Sequence, residues 1–268
     1  MIKRVNLRLA IVVMLLSIPL CCSRVDATIV AGNALQFDGS ADFAKIADAT
    51  HLRFDSSQSL TIELWFNPSA TNVDQQVLLE KRKYTTANGP YYIMRLDYDY
   101  VWGGFRDTGG TKGHAGSTTS ISANQWCHIA LVRNASTNQM RFFVNGQLES
   151  TQSDSTSDIL PTLDLTLGKS RFTHPHHFAG LMDEVRIWNI ALDDAYIGEN
   201  YNRIIQNPGI TSNLVGYWNF DEDFSNQNIF DLSSYGHNGM LGNSLSIGSD
   251  DPLRVVSTAP IVHLLHGL

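Results

Sequence analysis

Apolar and polar positions alternate along the chain from residue 34 onward, in short segments separated by Gly, Asn, Asp and Ser. In Leu60–Phe66 the apolar residues occupy every second position, which places them on one face of a half-buried strand. Many such segments at short spacing predict an all-β fold built from antiparallel strands. The predicted strands are Ala34–Phe37, Phe43–Ile46, Leu60–Phe66, Gln76–Lys81, Tyr91–Tyr98, Tyr100–Arg106, Trp126–Arg133, Met140–Val144, Leu163–Leu167, Ala179–Asn189 and Val215–Phe220.

Local signals add a hairpin, a helix and a tail to this pattern. An Asn-Gly pair at positions 145–146 predicts a hairpin over Arg141–Ser150, because both residues tolerate the positive φ of a tight turn. Apolar residues at helical spacing predict one short helix over Asp193–Arg203, with an aspartate as its N-cap. We predict residues 249–268 as a C-terminal tail, which is either a closing strand with a loose end or the start of something truncated.

The N-terminal segment has a different character. Three basic residues precede an apolar run over Leu9–Cys22, which predicts a secretory signal peptide over residues 1–27 with cleavage near Ala27. The run is shorter than the ~20 residues that a membrane span needs, so we expect a mature chain without a span, secreted or displayed at the cell surface. The alternatives are a retained N-terminal anchor or lipid attachment at Cys21 or Cys22.

Charge and cysteine content exclude two classes of protein. The chain carries a net charge of −7, and removal of residues 1–27 leaves 15 basic and 25 acidic residues, a net charge of −10. Such a protein repels phosphate backbones, so nucleic acid is not an expected partner. Of the three cysteines only Cys127 stays in the mature chain, which excludes a disulfide framework and favours a small core residue over a reactive thiol.

The segment Gly180–Leu192 contains the sharpest chemical signal. Strand alternation places Asp183 in an apolar row that faces the core, where a carboxylate needs a charged, hydrogen-bonding or metal partner. The same alternation turns Glu184 to the opposite, outward face. Retaining glycosidases need two carboxyl groups ~5 Å apart on one side of the sugar, so this pair argues against an enzyme. Asp97 and Asp99 also alternate, but they lie at a predicted turn without a third acid.

Seven segments occur in a recognisable order and cover nearly all of residues 30–245. They are Ala34–Ile46, Ser59–Pro68, Trp126–Arg133, Phe142–Leu148, Leu165–Lys169, Phe178–Leu192 and Leu214–Glu222 together with Phe230–Leu241. In this order they resemble the LamG-like, or concanavalin A-like, jelly roll that includes laminin G modules and pentraxins. The resemblance implies an all-β, two-sheet antiparallel jelly-roll sandwich over residues 28–248. Members of this family often hold a calcium ion and often bind carbohydrate or another protein, so the resemblance implies such a function here.

Two clusters of possible metal ligands occur in the sequence, and one of them is predicted to bind a metal. Calcium takes six to eight oxygen ligands, and jelly rolls commonly bring their first and last strands side by side, so we expect Asp38 or Asp42 to meet Asp183 and hold a structural Ca2+ ion. The alternative is that Asp38 caps its own turn and Asp183 bonds to backbone amides. Three histidines within residues 174–177 are dense enough for a transition metal, but no nearby cysteine or carboxylate supports this, and a solvated loop is preferred.

Aromatic residues near loops rich in Gly and Asn indicate a glycan site. Exposed aromatic rings stack on the C–H faces of sugars, while polar groups bind the hydroxyls. We place the candidate site at Tyr84, Tyr100, Trp102 and Arg106. Asn134 begins the one glycosylation sequon, in a predicted turn, and it matters only if the source is eukaryotic.

These features predict a secreted, non-catalytic recognition or adhesion module that binds a glycan or an extracellular protein and holds a calcium ion. One alternative is a polysaccharide-active hydrolase or lyase on the same fold. A structural envelope or matrix protein without a small ligand is the other.

Overall fold

The computed structural model describes residues 32–83, 89–170 and 176–262. In these residues the chain forms sixteen β-strands, one α-helix and short 3-10 helices at Thr50–Leu52 and Pro208–Ile210. The strands are β1 (Asn33–Asp38), β2 (Ala44–Ile46), β3 (Leu60–Pro68), β4 (Gln76–Arg82), β5 (Tyr91–Asp97), β6 (Tyr100–Arg106), β7 (Lys112–Gly116), β8 (Cys127–Asn134), β9 (Gln139–Val144), β10 (Gln147–Ser153), β11 (Leu165–Leu167), β12 (Ala179–Trp188), β13 (Leu214–Trp218), β14 (Asn228–Ile229), β15 (Gly239–Leu241) and β16 (Leu253–Val256). The helix, α1, spans Asp194–Asn200.

The strands form two antiparallel sheets of eight strands each. Sheet 1 has the order β10-β9-β8-β3-β12-β1-β16, with β13 also paired to β12, and sheet 2 has the order β14-β15-β2-β11-β4-β5-β6-β7. One apolar core joins inward residues of both sheets, such as Leu64 of β3 and Met94 of β5. The four alternating apolar residues of Leu60–Phe66 all face this core, as predicted. The predicted two-sheet jelly-roll sandwich with one short helix is therefore confirmed.

The predicted hairpin is confirmed and the predicted helix is shorter than expected. Asn145 and Gly146 adopt φ of 48° and 77° between β9 and β10, the left-handed conformation that a two-residue hairpin requires. The helix begins after Asp193, whose carboxylate caps it, and stops at Asn200. Tyr201 is its C-cap, with a backbone N–H that donates to the Ile197 carbonyl and a carbonyl that accepts the indole N–H of Trp65 at 3.0 Å.

Several strands lie where the sequence carries no clear alternation. These are β7, β14, β15 and β16. Strand β16 pairs with β1 at the edge of sheet 1, so the predicted tail 249–268 contains the closing strand. Strand β12, in contrast, lies inside sheet 1 with β3 on one side and β1 and β13 on the other.

The remaining predictions on the fold concern Cys127 and the chain ends. Cys127 packs into the core at 5% exposure, where burial raises the pKa of its thiol to about 12, as expected of a core residue. The predicted signal peptide, residues 1–27, lies outside the described residues. Among the residues that the structure describes, none of the helices has the length and apolar character needed to cross a membrane.

Candidate functional site

A groove of about 510 Å³ lies on the outer face of sheet 2, over β5, β6 and β7. Strand register places Arg95, Trp102 and Gly116 in one row across these three strands. The next row contains Gly104 and His114. Because glycines occupy positions 104 and 116, the floor between the larger side chains is bare backbone.

Trp102 forms the apolar wall of the groove. The Arg95 guanidinium covers one side of the indole, 3.9 Å from the ring centroid, and the Asp97 carboxylate accepts both the indole N–H and the Arg95 Nε–H. On the other side the opposing residue of β7 is Gly116, which carries no side chain to cover the ring. The indole is thus held in place from the β5 side and available from the β7 side.

The rim of the groove combines aromatic and polar side chains. Tyr100 is 50% exposed, and Lys112 and His114 are exposed as well. The His114 imidazole meets the Trp102 indole edge to face, with 6.4 Å between ring centroids. Ser117 adds a hydroxyl group to the lining. Flat ring surfaces beside hydrogen-bonding groups are the chemistry that recognises a sugar.

The structure brings together two of the four residues predicted for a glycan site. Tyr100 and Trp102 line the groove. Arg106 lies on the same face of sheet 2 but is 92% buried and is not part of the lining, and Tyr84 falls outside the described residues. The prediction missed Lys112 and His114, because the segment KGHAG contains no large apolar residue to mark a strand. A signal was present, since Lys112, His114 and Gly116 occupy every second position.

The outer face of sheet 1 differs because of a β-bulge in β12. The register of β12 against β3 shifts between Asp183 and Arg186, and Glu184 adopts a φ of 53°, the left-handed region that non-glycine residues rarely occupy. Asp183 pairs with Trp65 on the outer side of the sheet, so its predicted inward orientation is wrong. Glu184 lies on the outer face, as predicted, but it is covered by other chain segments and is only 5% exposed.

Glu184 belongs to a buried ionic network that we call the covered network: Glu63, His128, Glu184, Arg186 and Tyr217. Arg186 forms ion pairs with Glu184 and with Glu63, the latter at 3.4 Å, and the Tyr217 hydroxyl donates to Glu184 at 2.7 Å. His128 Nε2 lies 3.3 Å from Glu63. Burial acts to raise the pKa of Glu63, but His128 and Arg186 outweigh it and lower that pKa to about 2. The network is held together by its own charges.

Asp183 and Glu184 both line a cavity of about 270 Å³ next to this network. The Asp183 carboxylate accepts the Ser257 hydroxyl at 2.6 Å and the Glu184 backbone N–H at 2.8 Å. Burial, reinforced by the charge of Glu184, raises the pKa of Asp183 well above 3.8. The expectation that alternation separates these two carboxylates onto opposite faces is therefore wrong.

The predicted meeting of Asp38 with Asp183 does not occur. Asp38 pairs with Ala179, four residues from Asp183, which corresponds to roughly 13 Å along a strand. Asp38 instead caps its own turn, where it accepts the backbone N–H of Ser40 at 2.8 Å, and this bonding lowers its pKa although burial opposes the change. Within the described part of the chain, no three His, Cys, Asp or Glu side chains are placed to hold one metal ion.

Asp42 does have acidic neighbours, but they differ from the predicted one. Burial and the charges of Asp38, Asp251 and Asp250 raise the pKa of Asp42 to about 6. Asp251 is 8% exposed, and its Oδ1 atom is buried without a hydrogen-bond partner among the described residues.

The other residues considered in the sequence are the glycosylation sequon, the histidine cluster and the Asp97–Asp99 pair. Asn134 lies at the end of β8 and its side chain accepts hydrogen bonds from the following turn, so the sequon is in a turn as predicted. His176 and His177 are half-buried rather than solvated, and position 174 lies outside the described residues. Asp97 is bound to Arg95 and Trp102, whereas Asp99 lies in the turn that follows β5.

The fold and the groove define an antiparallel jelly-roll sandwich with an open aromatic site on one sheet. The family model of the concanavalin A-like lectin/glucanases superfamily matches residues 38–198. The chain belongs to this superfamily, in agreement with the resemblance seen in the sequence. Among curated protein sequences, none matches the chain significantly.

Solved structures with the same fold have low sequence identity to the chain. A Bacteroides ovatus protein to which carbohydrate binding is ascribed has a TM-score of 0.64 and 20% identity over 86% of this chain, which spans 61% of the length of that protein. The CBM40 of the Ruminococcus gnavus IT-sialidase, bound to α2,3-sialyllactose, has a TM-score of 0.52 and 15% identity, covering 64% of this chain and 98% of that one. A SAP-like pentraxin of Limulus polyphemus has a TM-score of 0.53 and 14% identity, covering 81% and 98%. At these identities the likeness shows the fold alone.

Proposed function

We propose that this chain is a secreted, non-catalytic recognition module that binds a glycan in the groove over β5, β6 and β7. The observation that carries the proposal is the indole of Trp102, which is fixed from behind by Arg95 and Asp97 and faces a floor of bare backbone. A ring held in this way stacks on a sugar without first losing side-chain freedom. The volume of the groove falls in the range of small-molecule sites, roughly 300 to 1,000 Å³.

The related folds support the same proposal. Carbohydrate binding is ascribed to the Bacteroides ovatus protein, and the Ruminococcus gnavus CBM40 was solved with a bound sialyllactose. Secretion or cell-surface display, with cleavage near Ala27, belongs to the proposal as well, because a module for extracellular glycans has to leave the cell. An extracellular protein is the other partner class, and it would be recognised through a glycan that it carries.

A glycan array followed by calorimetric titration of the best ligand tests the proposal. We expect Trp102→Ala to weaken binding by at least about tenfold, since a stacked aromatic ring is removed. Phe224→Ala is a matched control, because Phe224 is 60% exposed and lies outside the groove. Tyr100→Ala serves as the second groove variant if Trp102→Ala does not fold. Binding that survives both groove substitutions contradicts the proposed site.

One observation favours the alternative, a polysaccharide hydrolase or lyase: Asp183 and Glu184 line one cavity. Each carboxylate already accepts hydrogen bonds from protein groups and is at most 5% exposed, which supports a structural role. Incubation of the protein with the glycans that it binds, followed by detection of new reducing ends or unsaturated sugars, separates the two functions. Turnover that disappears in Asp183→Asn would replace the binding proposal by the catalytic one.

We also propose that the predicted calcium ion binds at Asp42 and Asp251, without Asp183. Calcium uses backbone carbonyls and water in addition to carboxylates, so two carboxylates are a sufficient start for a site. The charges that crowd around Asp42 and the unpartnered Oδ1 of Asp251 support this placement. We expect calcium to raise the melting temperature, EDTA to reverse the effect, and Asp42→Asn to abolish it. Asp223→Asn, at an exposed position, is the control. A melting temperature that is the same with and without calcium rules the ion out.

A further inference from the structure

The outer face of sheet 2 is rich in cations although the chain as a whole is acidic. The net charge is −7, and residues 28–268 contain only 15 Lys and Arg residues. Six of these lie on or beside this one face, which is an uneven distribution for so acidic a chain. They are Lys45, Arg82, Arg95, Arg106, Lys112 and Lys169.

One row of this face places like charges side by side. Strand register aligns Arg82, Tyr91, Arg106 and Lys112 across β4, β5, β6 and β7. Arg106 and Lys112 are therefore directly opposite one another on neighbouring strands, an arrangement that destabilises a sheet. Positions that break a local rule of this kind are often functional.

The cations of this face differ in whether a carboxylate neutralises them. Arg82 pairs with Glu80 at 2.7 Å, and Arg95 pairs with Asp97 at 2.6 Å. Lys112, in contrast, has no carboxylate within ion-pair distance in the described part of the chain, and it lines the groove directly. Asp97 holds Arg95 and the Trp102 indole N–H from β5 and is not among the residues that line the groove. Among the described residues, the positive charge of Lys112 in the groove therefore has no carboxylate counterion.

We infer that the groove binds an acidic glycan, whose carboxylate or sulfate group lies at Lys112 while a sugar ring stacks on Trp102. This inference rests on the proposed glycan-binding function and names the class of glycan. An ammonium group donates hydrogen bonds to either anion and attracts it as a point charge, so carboxylated and sulfated sugars share the chemistry that Lys112 recognises. His114 and Ser117 lie beside Lys112 and Trp102 in the lining and supply hydrogen bonds to neighbouring hydroxyls.

Pairs of polysaccharides that differ only in charge test the inference. Polygalacturonate is compared with its methyl ester for the carboxylate, and dextran sulfate is compared with dextran for the sulfate. We expect the charged member of at least one pair to bind at least about tenfold more tightly, and the binding to weaken as salt is added. The pair that shows the difference identifies the anion.

Substitutions locate the charge effect within the molecule. Lys112→Gln is expected to weaken binding of the charged probe by about tenfold and to leave a neutral probe unaffected, while Lys112→Arg retains most of the affinity. Arg203→Gln removes the same charge from an exposed position on the opposite side of the sandwich and is the control. Equal losses in Lys112→Gln and Arg203→Gln would show an effect of net charge only and would overturn the inference.

The outcomes also separate the inference from the proposed function. If both members of each pair bind equally and Trp102→Ala abolishes both, the groove is a glycan site but the acidic class is wrong. If charged probes bind equally well to the wild type and Trp102→Ala, neither statement holds for this groove. If none of the four polysaccharides binds, the inference falls, and the glycan array alone decides whether the groove takes another sugar.

Discussion

On the outer face of sheet 1, Glu63, Glu184 and Arg186 are at most 5% exposed and lie beneath the chain segments that follow α1 and β16. On the outer face of sheet 2, Tyr100 and Lys112 are exposed around an open groove. Both faces carry charged and aromatic side chains on regular antiparallel strands. The two faces differ in whether these side chains are buried and bonded to other protein groups or are exposed to solvent.

This difference separates stabilising residues from binding residues. The covered network contains two acidic side chains, one guanidinium, one imidazole and one phenol, and its ion pairs and hydrogen bonds lie within the protein. Among the described residues Lys112 has no such partner, and the Trp102 indole is covered by Arg95 on the β5 side but lies opposite Gly116 on the β7 side. A polar residue on a sheet thus becomes a candidate for binding when the fold leaves its charge or ring face without a neighbour.

The strongest test of this comparison removes one arginine from each face. Arg186→Met leaves Glu63 and Glu184 buried without their cation, and we expect a loss of about 3 to 5 kcal/mol in the free energy of unfolding. Arg95→Met removes a partly exposed ion pair on sheet 2 and should cost about 1 kcal/mol or less. Urea denaturation of both variants measures the difference, and equal losses would show that the two faces are energetically alike.

A second test concerns the cover of sheet 1. Ile261 is 6% exposed and packs with Trp65 and Ala259 over the sheet, so Ile261→Ala should lower the free energy of unfolding by about 2 kcal/mol. Leu253→Ala, in the same C-terminal segment but at a position that is 65% exposed, is the matched control, with an expected effect below about 0.5 kcal/mol. Thermal melts give both values. A small effect at Ile261 would mean that the segment lies loosely on the sheet.

The pH dependence of stability distinguishes two carboxylates on the outer face of sheet 1, Asp183 and Glu63. The pKa of Asp183 is raised in the folded chain, so the unfolded chain loses its proton first and stability falls as pH rises above about 4. Asp183→Asn, which retains an oxygen for the Glu184 backbone N–H, should remove this slope and leave the protein more stable than the wild type at pH 8. Glu63 acts with the opposite sign, because its lowered pKa makes stability fall as pH drops from about 4.5 to about 2. Chemical denaturation from pH 2 to 8 tests both slopes, and an unchanged profile in Asp183→Asn contradicts the assignment.

The smallest expected effect on stability belongs to the groove. Tyr100 is 50% exposed, so Tyr100→Ala should change the free energy of unfolding by less than about 0.5 kcal/mol while it weakens glycan binding. Parallel melts and titrations on one preparation measure the two quantities together. A large loss of stability would place Tyr100 among the structural residues and weaken the distinction between the faces.

Alternation in the sequence predicted most of the fold because the strands that enclose the core bury one apolar row. Leu60–Phe66 is an example, and the Asn145-Gly146 pair fixed the β9–β10 hairpin for a local steric reason. The alternation argument failed at Glu184, because a glutamate with positive φ in the middle of a strand has no sequence signature. That one bulge moved Asp183 to the outer face. The register of β1 against β12, which places Asp38 opposite Ala179, separates Asp38 from Asp183.

The candidate site was only partly predictable for a related reason. Tyr100 and Trp102 belong to a strand with clear periodicity, and their aromatic character was enough to nominate them. Lys112 and His114 come from β7, a short strand of small and polar residues whose place is decided by pairing with β6. Which residues meet across a sheet depends on register between distant segments, and one sequence does not contain that information.

The bare floor of the groove also limits how this site can change over evolution. A Cβ atom added at Gly104 would lie 2.8 Å from the carbonyl oxygen of Gly113, and one at Gly116 would lie 2.9 Å from the carbonyl oxygen of Val101. Both clashes are with backbone, so the depth of the groove is fixed by the sheet itself. Homologues with new ligand preferences should therefore vary at the positions of Tyr100, Lys112 and His114, and keep glycine at 104 and 116.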